Sequence, residues 1–206
     1  MALTPYRIEQ VKQKITRIRK ALAAEKRRYG CYDDSRGIRY LPPALYIQIA
    51  DFSGGFTYLR WFHKNFPDDC GLPDFLFEWM LILFMNEKLN DAEIKAFETF
   101  CSNTYLLDRF LDQPSISVEK YECSNMEGEA YCTYLKYSCA DDSLSLFVTW
   151  LRGVIKSKKF VNLSSKFFTI RKQLLSEKDR AIRSALLEQE RQLKTEFVSW
   201  NDKTIQ

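Results

Sequence analysis

Glycine and proline are scarce in this chain of 206 residues, with seven and six copies. Their scarcity excludes a collagen-like or low-complexity chain. Histidine occurs only at His63, so every Ser-His or Cys-His catalytic arrangement would have to use that one side chain. His63 lies among aromatic residues in the segment RWFHKNF, a context that favours a structural role.

The chain also lacks a long apolar run. The longest, FLFEWMLILFM at 75–85, has about half the length that a bilayer-spanning helix needs. It contains Glu78 and predicts a buried core helix. The N-terminal segment is basic and amphipathic and has no apolar stretch typical of a secretory signal. We therefore expect a cytoplasmic location and no membrane partner.

Motifs for catalysis, nucleotides and metals are absent as well. No GxxxxGK[ST] or GxGxxG pattern occurs, and the six cysteines include no CxxC pair. Cys123, Cys132 and Cys139 together with His63 match no compact zinc-ligand spacing. Paired aspartates such as Asp68-Asp69 lie at turns or helix starts, where capping accounts for them. The sequence predicts no enzyme, no catalytic residue, no cofactor and no metal.

Apolar residues are plentiful, at 46%, with 15% aromatic residues, which is enough for a packed core. Thr4-Pro5 is typical of a helix start, and apolar residues then recur at intervals of three and four from Ile8 to Leu22. Similar spacing recurs along the chain, and no window alternates apolar and polar residues as a strand would. The sequence predicts an all-α fold with helices at about 5–28, 43–50, 55–65, 74–85, 91–103, 129–138, 142–156, 162–175 and 177–199.

Four segments follow from this pattern, and we expect them to form one continuous domain. A basic amphipathic helix occupies 1–30, and antiparallel helix pairs fill 40–112. The polar stretch at 113–128 predicts a loop. Helices resume over 129–206 and end in a helical hairpin.

Two of the helix pairs share a layout of turn, small residue and amphipathic helix. The segments are ADFSGGFTYLRWF at 50–62 and EKLNDAEIKAFET at 87–99. Gly55 and Ala92 hold the small position at which two helices approach closely, Leu59 and Ala96 follow as packing residues, and Pro67 ends the first pair. Over about residues 40–106 the chain resembles the tetratricopeptide repeat family.

The resemblance implies helix pairs stacked side by side and a non-catalytic role in protein–protein interaction. Members of that family bind partners through the face formed by the first helix of each pair, which here corresponds to 43–50 and 74–85. Tyr46, Phe75 and Trp79 are the candidate partner-binding residues on those helices. An adaptor module, or a subunit of a larger complex, is the expected function.

Charge is unevenly distributed. Residues 1–45 have a net charge of +7 and residues 143–206 also +7, whereas 46–114 have −6 and 115–142 have −4. Basic ends can bind an acidic protein or the acidic middle of a second copy. They can also bind a nucleic acid, which is the alternative function. The simpler interpretation is that these are solvent-exposed helix faces whose charges happen to differ in sign. The candidate anion-binding residues are Lys12, Arg17, Arg19, Lys20, Arg27, Arg28, Lys158 and Lys159.

Overall fold

The computed structural model of the chain describes residues 3–32, 34–114 and 119–200 and confirms the all-α fold. Within those ranges it contains α-helices and short 3-10 helices and no β-strand. The α-helices are α1 (Pro5–Tyr29), α2 (Pro42–Gln48), α3 (Phe52–Asn65), α4 (Pro73–Met85), α5 (Leu89–Ser102), α6 (Leu106–Phe110), α7 (Ser145–Lys156), α8 (Lys158–Ser176) and α9 (Arg180–Ser199). The 3-10 helices are Ile38–Tyr40, Glu129–Tyr134 and Asp142–Leu144.

Local capping signals define several of the helix ends. The Thr4 side chain accepts a hydrogen bond from the backbone N–H of Arg7, and Pro5 fills the first turn of α1. Gly30 ends α1 with a left-handed φ of 75°, a conformation that glycine adopts without steric cost. Asp51 caps α3 and Asp179 caps α9 in the same way, each through its carboxylate.

The first of two compact units extends to Lys88 and contains α1 to α4. Its core joins the apolar stripe of α1 to the aromatic side chains of α2, α3 and α4. Phe62 lies at the centre, with its ring centroid 4.8 Å from that of Phe75 and 5.1 Å from that of Phe66. Gly55 lies where α2, α3 and α4 converge, since a Cβ atom there would come within 3.2 Å of the Tyr46 Cβ.

The second unit begins at Leu89 and contains α5 to α9. Helix α5 packs against α7, α8 and α9, and α8 and α9 form the predicted terminal hairpin. Phe97 stacks on Phe197 at 4.6 Å, and Phe100 contacts Phe160 edge-on at 5.5 Å. The boundary between the units lies between α4 and α5, inside the segment 40–112 that the sequence pattern treats as one run of helix pairs.

Several helix predictions differ from the structure in detail. The predicted helix at 129–138 is only a 3-10 helix over Glu129–Tyr134. Helix α6 was not predicted, because five residues are too few to show a helical period. Helix α8 begins at Lys158 rather than 162, since the Ser157 hydroxyl accepts from the Phe160 N–H and starts the helix one turn earlier. The predicted loop at 113–128 lies partly outside the described residues, and its described parts, 113–114 and 119–128, contain no helix.

Across residues 3–32, 34–114 and 119–200, no helix combines the length and the apolar character that a bilayer crossing requires.

Candidate functional site

Helix α1 contacts its unit along one apolar stripe. Ile15, Ile18 and Leu22 are buried and recur at intervals of three and four residues, so they lie on one side of the helix. A stripe of that width leaves about two-thirds of the helix circumference for other contacts. The sequence thus determines which side of α1 faces solvent.

Basic side chains occupy most of that outer surface. Helix α1 contains nine Lys and Arg residues but only Glu9 and Glu25 as acids, a net charge of +7. All six basic residues predicted on this helix as anion-binding are exposed: Lys12, Arg17, Arg19, Lys20, Arg27 and Arg28. Among the described residues, no basic side chain of α1 has a carboxylate within ion-pair distance.

A line of these residues runs along one flank of the helix. Lys12, Arg19 and Lys26 are seven residues apart, so about 10.5 Å of helix separates each from the next. Thr16 and Ala23 lie between them at intervals of three and four. We call Lys12, Thr16, Arg19, Ala23 and Lys26 the basic strip; all five side chains are exposed.

One edge of the basic strip adjoins the aromatic residues of the first unit. The Lys26 ammonium donates to the Asn65 side-chain oxygen at 3.3 Å and lies 4.8 Å from the centre of the Tyr32 ring. Burial raises the pKa of the Tyr46 hydroxyl, and the neighbouring Arg19 guanidinium offsets part of that rise. These neighbours orient Arg19 and Lys26 without neutralising them.

The two basic candidates on α8 differ from each other. Lys158 is exposed, whereas Lys159 is half-buried. The Lys159 ammonium lies 3.8 Å from a Glu93 carboxylate oxygen and 3.9 Å from the centre of the Phe197 ring. Lys159 therefore stabilises the second unit, and of this pair only Lys158 presents an open charge.

The predicted aromatic partner-binding residues lie mainly in the core. Tyr46 is 7% exposed and Phe75 is 1% exposed, and Trp79 is half-buried. The Phe75 ring lies 5.8 Å from that of Trp79, edge to face. The structure corrects the partner-binding prediction for Tyr46 and Phe75, because both side chains are buried in the core of the first unit and inaccessible to a partner.

A polar cluster in the first unit was not predicted from the sequence. The Arg39 guanidinium donates to an Asp69 oxygen at 2.8 Å and to the Asp34 backbone oxygen at 2.9 Å. The Tyr40 hydroxyl donates to Asp69 at 2.7 Å. Burial opposes ionisation of Asp69, but hydrogen bonds from Tyr40, the Gly71 N–H and Arg39 outweigh it and lower the pKa of Asp69. The cluster joins the loop between α1 and α2 to the loop between α3 and α4 and so has a structural role.

A second unpredicted cluster surrounds Arg171 in the second unit. Its side chain is 8% exposed and pairs with Glu127 at 3.0 Å and with Glu190 at 2.8 Å. It also donates to the Tyr121 backbone oxygen at 3.3 Å. Glu127 in turn accepts from the Cys123 thiol at 2.9 Å. Arg171 therefore fastens the 119–128 segment to the α8–α9 hairpin.

The α8–α9 hairpin has an open groove of about 520 Å³. Its walls are mostly uncharged polar side chains: Asn162, Ser165, Thr169, Gln173, Gln189 and Gln192. The Lys166 ammonium bonds to Glu196 across it at 2.5 Å. Ile170 and Leu193, both buried, form its base. The groove thus has no excess charge, since Lys166 and Glu196 are its only charged lining residues.

The side chains that could serve in catalysis or metal binding do not converge on one site in the described structure. His63 is exposed on α3, with its ring centroid 6.3 Å from that of Trp79. In the described ranges, no three His, Cys, Asp or Glu side chains converge as metal ligands would. Cys101 and Cys132 are buried free thiols, and burial raises the pKa of both.

The basic strip and its neighbours on α1 are thus the candidate site that combines exposure, excess charge and ordered spacing. Neither a protein-family model, nor a curated protein, nor a solved structure matches this chain.

Proposed function

We propose that this protein is a non-catalytic interaction module, an adaptor that binds an anionic partner protein through the exposed basic face of α1. The single observation that carries the proposal is the charge of +7 on one exposed helix, with no carboxylate paired to it among the described residues. Like charges concentrated in this way repel one another, and an acidic partner removes that repulsion on binding.

The rest of the first unit supports this role by holding α1 in place. The apolar stripe of α1 packs on the aromatic core, which keeps the helix fixed while its cations stay in solvent. A fixed array of charges attracts an oppositely charged surface over about one Debye length, 8 Å at physiological salt. The resemblance to tetratricopeptide repeats supports an adaptor function as well, although the proposed surface is α1 rather than the paired helices.

Nucleic-acid binding through α1 is the second candidate. Tyr6 and Tyr29 are 73% and 56% exposed at the two ends of the basic face, where they could stack on bases. Lysine and arginine side chains contact phosphates readily, and such contacts make affinity fall steeply as salt rises.

A pull-down with the full-length tagged chain, at low salt and with or without nuclease, tests the proposal. The test variant replaces Lys12, Arg17, Arg19, Lys20, Arg27 and Arg28 with Gln. The matched control replaces six exposed basic residues of the second unit that are not candidate anion-binding residues: Arg152, Lys156, Lys166, Lys172, Lys178 and Lys194. We expect one stoichiometric protein that survives nuclease, is lost with the α1 variant and remains with the control. Loss of all companions on nuclease treatment would favour the nucleic-acid candidate instead.

A further inference from the structure

The basic strip follows the seven-residue repeat of α1. Apolar residues at Ile8, Val11, Ile15, Ile18 and Leu22 alternate at intervals of three and four, which is the apolar repeat of paired helices. Lys12 and Arg19 directly follow Val11 and Ile18, the second apolar residues of their repeats, and Lys26 holds the same position in the third repeat, after Glu25. In helix pairs, charges at that position select the partner helix.

The residues between the three cations are small. Thr16 and Ala23 lie between Lys12, Arg19 and Lys26, so the strip alternates long basic and short side chains. Axes of packed helices lie about 8–10 Å apart, a distance that short side chains permit and continuous long ones prevent. A second helix can therefore pack closely along the strip and meet a cation at regular intervals.

We infer that the basic strip binds an acidic α-helix of the partner protein, one whose carboxylates recur every seven residues along one face. The inference rests on the proposed function and specifies the partner's chemistry. All α-helices have the same rise per residue, so carboxylates seven residues apart on a partner helix match the roughly 10.5 Å spacing of the cations. The match holds whether the partner helix runs parallel or antiparallel to α1.

Nucleic acid fits the strip less well. Stacking on bases requires aromatic rings among the cations, and the sequence from Lys12 to Lys26 contains none. Phosphates recur about every 3.4 Å along each strand of a duplex, so they provide no preference for cations spaced at two helical turns.

The test uses two labelled 24-residue peptides of identical composition, both built on an Ala/Gln helix with three Glu residues. In one peptide the Glu residues are seven apart and share a face, and in the other they are five apart and lie on different faces. Fluorescence anisotropy with the full chain at about 50 mM salt gives each Kd, and circular dichroism confirms equal helicity. We expect the seven-spaced peptide to bind about tenfold more tightly, because it can form two more exposed ion pairs at once, each in the upper part of the usual range for such pairs.

Two matched triple variants locate that preference on α1. Lys12→Gln with Arg19→Gln and Lys26→Gln should abolish the tenfold difference between the peptides. Lys14→Gln with Arg17→Gln and Arg28→Gln removes the same charge from the opposite flank and should leave the difference intact. Equal binding of both peptides, or equal losses in both variants, would overturn the inference in favour of diffuse attraction. Tighter binding of a 20-base-pair DNA duplex, lost with the strip variant, would overturn it in favour of nucleic acid.

The pull-down separates this inference from the function on which it rests. If the captured protein still depends on the charge of α1 while peptide spacing has no effect, the adaptor function stands and the acidic-helix partner is refuted. If capture is independent of α1, the proposed function fails whatever the peptides show.

Discussion

Removal of the Arg171 guanidinium should destabilise the second unit strongly. Arg171 is almost fully buried and pairs with Glu127 and Glu190, whose side chains are themselves only 15% and 19% exposed. Substitution with Met keeps the volume of the stem but leaves two carboxylates close together without their cation. Loss of one partner from a buried ion pair costs about 3–5 kcal/mol. Because both carboxylates retain some solvent, we expect the lower end, about 3 kcal/mol.

Urea unfolding measures this loss. With a slope of about 2 kcal/mol per molar urea, a change of 3 kcal/mol lowers the unfolding midpoint by about 1.5 M. The control is Arg191→Met, because the Arg191–Glu188 pair at 2.9 Å is exposed, 73% and 52% by side chain. An exposed pair contributes about 0–1 kcal/mol, so the control should change the midpoint by less than 0.5 M.

A third variant tests the physical reason. Arg171→Met combined with Glu127→Gln and Glu190→Gln removes the unpaired charges and should recover more than half of the lost stability. Arg171→Lys keeps the charge but loses the two-pronged geometry, and it should fall between the wild type and Arg171→Met. Equal midpoints for Arg171→Met and Arg191→Met, within about 0.3 M, would refute the claim that the cluster fastens the 119–128 segment.

Three further predictions concern other parts of the chain. Gly55→Ala should lower the free energy of unfolding in urea by about 1–2 kcal/mol, because the new Cβ would lie too close to the Tyr46 Cβ on α2. Gly153→Ala should raise it by about 0.5–1 kcal/mol, because a Cβ there meets nothing within 4 Å. Equal effects of the two substitutions would refute the packing argument. Burial and the Asp69 carboxylate raise the pKa of Tyr40 to about 12 from 10.0. Tyr40 in the unfolded chain therefore loses its proton at a lower pH than in the folded chain, and the urea concentration at the unfolding midpoint should decrease as the pH rises from 10 to 12. The tyrosinate absorbance at 295 nm measures the ionisation. Cys101 and Cys132 should react with a thiol reagent in the native state at least tenfold more slowly than the exposed thiols, because burial raises the pKa of each, that of Cys132 to about 11.

The helix pattern was predictable wherever it was periodic or capped. Thr4-Pro5 starts α1 and Asp51 caps α3, since each uses a side chain within three residues of the backbone group that it satisfies. Short elements carry no such signal. Helix α6, with five residues, and the 3-10 helix at Glu129–Tyr134 are stabilised by tertiary contacts, such as Asn103 donating to the Met126 and Gly128 carbonyl oxygens.

Exposure of a charge was easier to predict than exposure of an aromatic ring. The apolar interval of α1 determines which side is buried, so Lys12 and Lys20 had to point outward. Phe75 and Trp79 lie on a helix that is apolar on nearly every side, and the pattern cannot separate core from docking groove there. No local sequence pattern predicts the ion pairs of Arg171, because its partner Glu127 is 44 residues away in sequence.

Part of the acidic middle of the chain is already engaged in local contacts, which favours the proposed acidic partner of α1 over a second copy. Several acidic residues of 46–114 already have local functions: Asp51 caps α3, Asp69 binds Arg39, and Glu93 and Glu98 pair with lysines of the second unit. A second copy would have to break these contacts to use those four carboxylates at the basic strip, whereas the cations of α1 have no paired carboxylate to release among the described residues. The partner that we propose, with uncommitted carboxylates, would have no such contacts to break on binding, and complementary charge favours specific association over wrong partners.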